Sequence, residues 1–116
     1  MAVIAYTGTR IPGPIGTSSL VTWTSVATGD TGKPVESTGF SDRSVQVTGT
    51  FGGATCTIEG SNDGSTWATL SDPAGAALTF AATGLKQILQ ITRYMRPSVA
   101  AGAGTLNINL LMVGQI

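Results

Sequence analysis

The chain has 116 residues, six basic and six acidic side chains, and no histidine. A chain of this length forms one domain of ordinary size, and its neutral charge balance lacks the basic surface that nucleic-acid binding requires. The lack of histidine excludes His-based triads and His zinc sites, and Cys56, the single cysteine, excludes an intrachain disulfide.

Charged residues make up only 10% of the chain, whereas about a quarter is usual for a soluble domain. Serine, threonine and glycine take their place. A hydroxyl-rich surface of this kind favours contact with another protein, because few charges have to lose their water when the two surfaces meet.

Residues 1 to 17 differ from the rest of the chain. They contain Pro12, Pro14 and one charged residue, Arg10, and each proline removes a backbone donor that a helix or a central strand needs. We therefore predict an extended N-terminal arm, separate from a domain over residues 18 to 116, so that removing residues 1 to 15 leaves a folded domain. Its side chains are more apolar than a solvated tail requires. We expect it to contact a neighbouring molecule through Ile4, Tyr6, Arg10, Ile11 and Ile15.

The N-terminus has no basic segment followed by an apolar core, so no secretory signal is predicted. No apolar run approaches the roughly 20 residues that span a membrane. We expect a protein that is made in the cytoplasm and has no membrane partner.

The sequence from residue 18 onward is typical of β-strands, with β-branched residues and alternating polarity. Gly52-Gly53 predicts a two-residue hairpin turn between the strands on either side. Residues 84 to 92 also fit one face of a helix, but Gly84 and the β-rich surroundings favour a strand. About eight short strands separated by turns predict an all-β fold, an antiparallel β-sandwich or jelly roll. Seven of these strands are predicted at residues 18–26, 43–51, 55–59, 66–70, 78–80, 84–92 and 105–113.

The segment Glu59–Trp67, "EGSNDGSTW", could hold a cation or form a turn. A calcium loop needs oxygen ligands at alternating positions and a closing glutamate, whereas here Asn62 and Asp63 are adjacent and no glutamate follows. Asparagine, aspartate and glycine tolerate the backbone angles of tight turns. We therefore predict a hairpin turn that places Trp67 in the core beside the preceding strand.

The densest polar and aromatic cluster is Arg93-Tyr-Met-Arg-Pro97. Arginine and tyrosine are enriched at the energetic centres of protein interfaces, so Arg93, Tyr94 and Arg96 are candidates for partner binding. The alternative is that one arginine bonds to loop carbonyls and Tyr94 lies in the core. The sequence leaves these two interpretations open.

No group of residues predicts catalysis. Cys56 falls at an inward strand position, where a small buried thiol is expected, and a nucleophile would need an activating base. The acidic residues Asp30, Glu36 and Asp42 are scattered through loop-like sequence. We expect no enzymatic activity, no catalytic residue, no metal site and no cofactor.

The run "IEGSNDGSTWATL" resembles the hairpin of discoidin-like jelly rolls, which often bind sugars or lipids. Followed by "GLKQILQITRYMRPSVAAGAGTLNINLLMV", it is more similar to small structural proteins of tailed bacteriophages, several of which are capsid decoration, or cement, proteins. In those small phage structural proteins, such a hairpin precedes an "RY-x-RP" strand, a Gly-rich loop and a final alternating strand. The resemblance covers residues 43 to 113. The chain is shorter than a discoidin domain and lacks its cysteine pair.

The phage resemblance implies a structural virion protein on the outer surface of a capsid. Its partners would be the major capsid protein, whose neighbouring subunits it bridges, and further copies of itself in a homodimer or homotrimer. The discoidin resemblance implies instead a carbohydrate-binding module on a phage or cell-surface appendage.

Overall fold

The computed structural model describes residues 2–13 and 16–115, and these residues contain strands and no helix. Ile15, one of the predicted contact residues, lies outside this part of the chain. The strands, in chain order, are β1 (Val3–Ile4), β2 (Tyr6–Gly13), β3 (Gly16–Ala27), β4 (Thr31–Gly32), β5 (Val35–Glu36), β6 (Phe40–Thr50), β7 (Thr55–Ser61), β8 (Ala68–Thr69), β9 (Thr79–Phe80), β10 (Gly84–Gln87), β11 (Tyr94–Ala100) and β12 (Thr105–Gln115).

These strands form two sheets that pack face to face. The five-stranded sheet has the order β10-β6-β12-β3-β2. The seven-stranded sheet has the order β1-β4-β11-β7-β8, with β5 also paired to β11 and β9 to β7. Apart from the short parallel pair β1–β4, every pairing is antiparallel. The predicted all-β sandwich is confirmed. No helix among the described residues is long and apolar enough to cross a membrane.

The core lies between the sheets and follows the alternation of the long strands. Val45 and Val47 on β6 face inward, as do Cys56 and Ile58 on β7. The thiol of Cys56 is therefore buried, as predicted. Strand β12 contributes the longest inward row: Leu106, Ile108, Leu110 and Met112. Full burial of such a side chain stabilises a fold by about 1.5–3 kcal/mol.

The N-terminal segment is extended but belongs to the sandwich, which corrects the predicted arm over residues 1–17. Strand β2 pairs with β3 from Tyr6↔Trp23 to Gly13↔Gly16, and β1 pairs with β4. The ring of Tyr6 meets buried Trp23 edge to face, with centroids 5.9 Å apart. Pro12 lies on β2, which is at the edge of the five-stranded sheet, and edge strands are where sheets accept proline.

Gly52 and Gly53 form a tight turn but not the predicted hairpin. Both have a positive φ, and the amide of Ala54 donates to the carbonyl of Phe51 at 2.7 Å. The strands on either side nevertheless belong to different sheets, because β6 pairs with β12 and β10 whereas β7 pairs with β11, β8 and β9. The turn is thus a corner between the two layers.

Residues 84–92 are a strand only as far as Gln87. The amide of Ile88 donates to the carbonyl of Arg43 at 3.0 Å and that of Leu89 to the carbonyl of Ser71 at 2.9 Å, so the chain leaves β6 here. The apolar residues that fit a helical period in this segment do not form one buried face. Ile88 is buried, while Leu85, Leu89 and Ile91 are exposed apolar side chains at the margin of the sandwich.

Candidate partner-binding surfaces

The Ser61–Thr66 turn connects β7 to β8, which pair antiparallel at Glu59↔Thr69 and Gly60↔Ala68. The predicted hairpin is therefore present. The Asp63 carboxylate accepts hydrogen bonds from the amides of Ser65 and Thr66 and from the hydroxyl of Ser61, each at 2.8 Å. These bonds hold the pKa of Asp63 well below its usual range, the Thr66 bond having the largest effect. The carboxylate of Asp63 thus holds the turn.

Trp67 lies outside the core, so the prediction that the hairpin places its side chain in the core is wrong. Strand alternation places it on the outer face of the seven-stranded sheet, where it is half-buried. The Arg96 guanidinium carbon lies 4.2 Å from the centroid of its ring, and the same guanidinium donates from Nε to Glu59 Oε1 at 2.9 Å. Trp23, by contrast, is in the core, and its indole donates to the Lys33 carbonyl at 3.0 Å.

Arg93 and Tyr94 lie on the same outer face. The Arg93 guanidinium carbon is 5.0 Å from the centroid of the Tyr94 ring, and Arg93 Nε is 3.8 Å from Glu36 Oε1, with both side chains more than half exposed. Tyr94 is half-buried and outside the core, and Arg96 bonds to a carboxylate, not to loop carbonyls. The structure therefore brings the three predicted residues together with Trp67. We call Trp67, Arg93, Tyr94 and Arg96 the arginine–aromatic cluster.

The predicted contact residues of the N-terminal segment have two different environments. Ile4 and Tyr6 are partly buried and pack against the core, so they stabilise the fold. Arg10 and Ile11 are exposed on β2, the edge strand of the five-stranded sheet. The structure does not bring these residues together with the arginine–aromatic cluster, which lies on the other sheet.

A second surface was missed by sequence analysis: the outer face of the five-stranded sheet. Among the described residues of its strands, Asp42 is the one charged side chain that alternation places there. The hydroxyl of Thr22 donates to Asn109 Oδ1 across two of its strands at 2.8 Å. We call this surface the uncharged face. Its side chains are Thr7, Thr9, Ile11, Ser18, Leu20, Thr22, Asp42, Ser44, Gln46, Thr48, Leu85, Gln87, Asn107, Asn109, Leu111 and Val113.

The alternation of residues 43–51 and 105–113 was the available signal for this face. It placed Ser44, Gln46 and Thr48 on one side of a strand, but it did not show that β12 lies beside β6 or that β3 and β2 extend the same surface. The extent of the face follows from the strand order, which joins segments far apart in the sequence.

The described residues contain no group of three or more His, Cys, Asp or Glu side chains that could hold a metal ion. Burial raises the pKa of the Cys56 thiol to about 12. A thiol with this pKa is protonated at neutral pH and is a poor nucleophile, because the thiolate is the reactive form.

No protein-family model matches the chain, and no curated protein matches it. Among solved structures, it is similar to the SPBc2 prophage-derived protein YomS, with 12% identity, 94% of this chain and 93% of that chain covered, and a TM-score of 0.61. At this identity the likeness shows a shared fold over nearly the whole length of both chains.

Two further solved structures have lower scores. A Cupin 2 conserved barrel domain protein from Salinispora arenicola CNS-205 is 13% identical, with 94% of this chain and 76% of that chain covered and a TM-score of 0.42. The family 11 carbohydrate-binding module of a Clostridium thermocellum cellulase is 7% identical, with 94% and 81% covered and a TM-score of 0.35. Scores this low carry no argument about function. The fold and surfaces define a small all-β sandwich protein with two chemically different outer faces.

Proposed function

We propose that this chain is a structural virion protein that decorates a tailed-phage capsid and bridges neighbouring major capsid subunits. The observation that carries the proposal is the uncharged face, a five-stranded surface of hydroxyl, amide and aliphatic side chains with Asp42 as its one charged group in the described chain. Such a face can be covered by another protein without the cost of burying several charges. YomS, which shares the fold, is a prophage-derived protein, and this is consistent with a phage origin.

The size of the uncharged face favours several contacts over one. Five strands about 4.8 Å apart and about seven residues of 3.4 Å each outline roughly 500–600 Å². A standard stable interface buries about 800 Å² on each partner. One face therefore supplies part of an interface, and contacts with two or more subunits would act together through their effective concentration.

The arginine–aromatic cluster is the second contact in this proposal. Its residues lie on the opposite side of the sandwich, and Arg93 and Tyr94 belong to the residue types that dominate interface energetics. A protein with one contact surface on each outer face is suited to bridging. We further propose that copies associate as dimers or trimers, because symmetric positions on a capsid favour symmetric contacts, and that the protein is made in the host cytoplasm and acts on the outer capsid surface. No catalysis is part of this role.

The test is cosedimentation with undecorated, expanded heads of the phage that encodes the chain. Gln46 is exposed near the middle of the uncharged face, and Gln46→Lys places a charge there that the capsid contact would have to desolvate. Ala74→Lys adds the same charge in the exposed turn after Asp72. We expect saturable binding of the parent chain, at least about tenfold weaker binding of Gln46→Lys, and parent-like binding of Ala74→Lys. Equal binding of both variants would contradict a role for the uncharged face, and no binding of any chain would contradict capsid decoration.

A second candidate function is glycan binding, which the position of Trp67 favours. A tryptophan on an outer sheet face, beside the Glu59 carboxylate and the Arg96 guanidinium, offers a ring together with polar groups, the combination that ligand sites use to orient a bound molecule. The test is tryptophan fluorescence during titration with oligosaccharides taken from a glycan array. Trp23 is buried, so Trp67→Phe leaves a chain whose remaining indole reports only on the core. A saturable signal in the parent that is lost in Trp67→Phe supports a glycan site; no signal in the parent rules it out for the sugars tested.

A further inference from the structure

Strand β2 is a long edge strand with one side free. It ends the order β10-β6-β12-β3-β2, so no described strand pairs with its far side. It has eight residues, whereas the other edge strands β10, β1 and β8 have four, two and two. Natural sheets usually protect an edge by shortening it or by placing charges or proline on it, because its unpaired backbone groups can bind another strand. β2 carries one charge, Arg10, and its proline is second to last, so most of its length is unprotected.

Alternate residues of β2 direct their backbone groups toward the free edge. In an antiparallel pair, residues that exchange hydrogen bonds alternate with residues whose N–H and C=O groups point away from the partner. The carbonyl of Ile11 accepts from the hydroxyl of Ser18, its partner on β3, at 3.4 Å, so Ile11 is of the first kind. By alternation, the other odd-numbered residues of β2 also bond to β3. The backbone groups that point to the free edge belong to the even-numbered residues Tyr6, Gly8 and Arg10.

The space around the middle of β2 is open. Residues 7 to 11 are all exposed. A Cβ atom at Gly8 would have no atom within 4 Å beyond its own chain neighbours, and Gly8 does not have a positive φ. A further strand can therefore approach this edge without displacing a described residue.

We propose that the free edge of β2 pairs with β2 of a second copy, antiparallel across a two-fold axis at Gly8, so that the two five-stranded sheets form one continuous sheet. In this register Gly8 lies opposite Gly8, and Tyr6 lies opposite Arg10 of the second copy. Each of these pairs exchanges two backbone hydrogen bonds, so the outward groups of all three residues are satisfied. The inference deepens the proposed function, on which the use of this dimer at a capsid rests, but the contact itself needs no capsid.

The side chains of β2 favour this register over its neighbours. An axis at Thr9 would place Tyr6 opposite Pro12, which has no N–H to donate. An axis at Arg10 would place two arginines opposite each other, and like charges in directly opposite positions are destabilising. With the axis at Gly8, Arg10 lies beside an aromatic ring, which is a favourable partner for a guanidinium.

The pairing also enlarges the uncharged face. A two-fold axis normal to the sheet keeps the outer faces of both copies on the same side, so the two faces become one surface of roughly 1,000–1,200 Å². A standard interface buries about 800 Å² on each partner, which one face does not reach and the joined face exceeds. The second copy therefore supplies the area that a single chain lacks.

Sedimentation equilibrium of the full chain over roughly 1 to 300 µM, without any capsid, tests this dimer. Gly8→Lys places two like charges opposite each other at the axis, although its side chain has room in the monomer. Gly8→Ala changes the same residue without a charge, and Ala74→Lys adds the charge in the exposed turn after Asp72.

We expect a monomer–dimer equilibrium for the parent, dimerisation at least about tenfold weaker for Gly8→Lys, and parent-like dimerisation for both controls. A parent chain that stays monomeric, a trimer, or equal association of all four chains would contradict the proposal.

Amide hydrogen exchange gives a readout that needs no variant. In the monomer, the N–H groups of Tyr6, Gly8 and Arg10 face water and exchange fast, whereas those of the odd-numbered residues are bonded to β3 and exchange slowly. Raising the concentration of the parent should protect the even-numbered set alone. Dimers without this protection would have another interface, and protection that needs capsids would assign the edge to a capsid strand; either result would overturn the proposal.

The two proposals fail separately. Both measurements use the isolated chain, so a monomer that still cosediments with heads would leave capsid decoration in place and remove the β2 contact. A dimer with protected β2 amides that does not bind heads would have the opposite meaning.

Discussion

At the scale of single residues, Asp63 and Trp67 show how the neighbours of a side chain decide its role. Asp63 is exposed, yet its carboxylate organises the whole Ser61–Thr66 turn by accepting three hydrogen bonds. Trp67 is a large apolar residue of a type that is often buried in a core, but its ring stacks with Arg96 on an outer face. Residue type alone would assign the first to ligand binding and the second to the core.

The turn at Asp63 predicts a specific dependence of stability on pH. The folded state holds the pKa of Asp63 below the value of about 3.9 found in unfolded chains. A depressed folded-state pKa contributes stability that is present above about pH 4 and is lost as the pH falls below it. We expect Asp63→Asn to be less stable than the parent at pH 7 and to lose less stability between pH 4 and pH 2.

Urea unfolding at a series of pH values measures this difference. Asp42→Asn removes another exposed carboxylate and is the control for the general effect of charge. Parallel stability curves for the parent and Asp63→Asn below pH 4 would show that the three hydrogen bonds do not hold the turn in solution.

At the scale of elements, the corner between β6 and β7 connects the two layers of the sandwich. Gly52 and Gly53 turn the chain, and a second glycine-rich loop, residues 101–104, packs directly on them: the amide of Ala103 donates to the carbonyl of Gly52 at 3.0 Å. A Cβ at Gly52 would overlap the carbonyl oxygen of Ala103, whereas the nearest atom to a Cβ at Gly53 is the Cα of Gly102 at 3.7 Å. The two glycines thus differ in packing although both have a positive φ.

This difference predicts unequal effects of substitution by alanine. Gly53→Ala should cost about 1 kcal/mol, because only the left-handed backbone is unfavourable for a residue with a Cβ. Gly52→Ala should cost at least about 2 kcal/mol, because the same strain is combined with a clash against backbone that has no room to move. Denaturant unfolding of both variants checks the order, and equal losses would mean that the two loops do not pack closely.

At the scale of the whole molecule, the two outer faces differ in charge. The seven-stranded sheet carries the ion pairs Arg93–Glu36 and Arg96–Glu59 beside its aromatic rings, whereas the uncharged face has hydroxyl, amide and aliphatic groups. A protein with two such faces can contact two chemically different partners, or two sites on one partner. This asymmetry is the property of the intact sandwich that the proposed bridging role uses.

The integration of the N-terminal strands predicts that the sandwich depends on residues 1–13. Their removal would expose Trp23, which Tyr6 covers, and would leave the amides of Thr31 and Lys33 without the carbonyls of Ala2 and Ile4. We expect a loss of about 3 kcal/mol or more, comparable to removing a large buried side chain. Thermal unfolding of the truncated chain measures it, with Arg10→Gln as a control that keeps β2. An unchanged midpoint would restore the interpretation of residues 1–17 as a separate arm.

The sequence by itself determined the features that depend on neighbours within a few residues. Alternation in residues 43–51 and 105–113 specified which side chains face inward, since the period of a strand is two. Asn62-Asp63-Gly64 specified a turn, since its side-chain and backbone preferences are local. The position of Cys56 in the core followed from the same alternation. Fold class and most of the core were therefore predictable.

Only the tertiary structure decided which distant segments lie side by side. The local signal at Gly52-Gly53 is that of a hairpin, and the strands diverge into separate sheets because each pairs along its whole length with a strand elsewhere in the chain, β6 with β12 and β7 with β11. Trp67 meets Arg96, and Tyr6 meets Trp23, through pairings that no local pattern contains. Which strands pair depends on all segments of the chain, because the stable arrangement is the one that buries the complete core. A surface built from several strands therefore forms only together with that core and is not contained in any one segment.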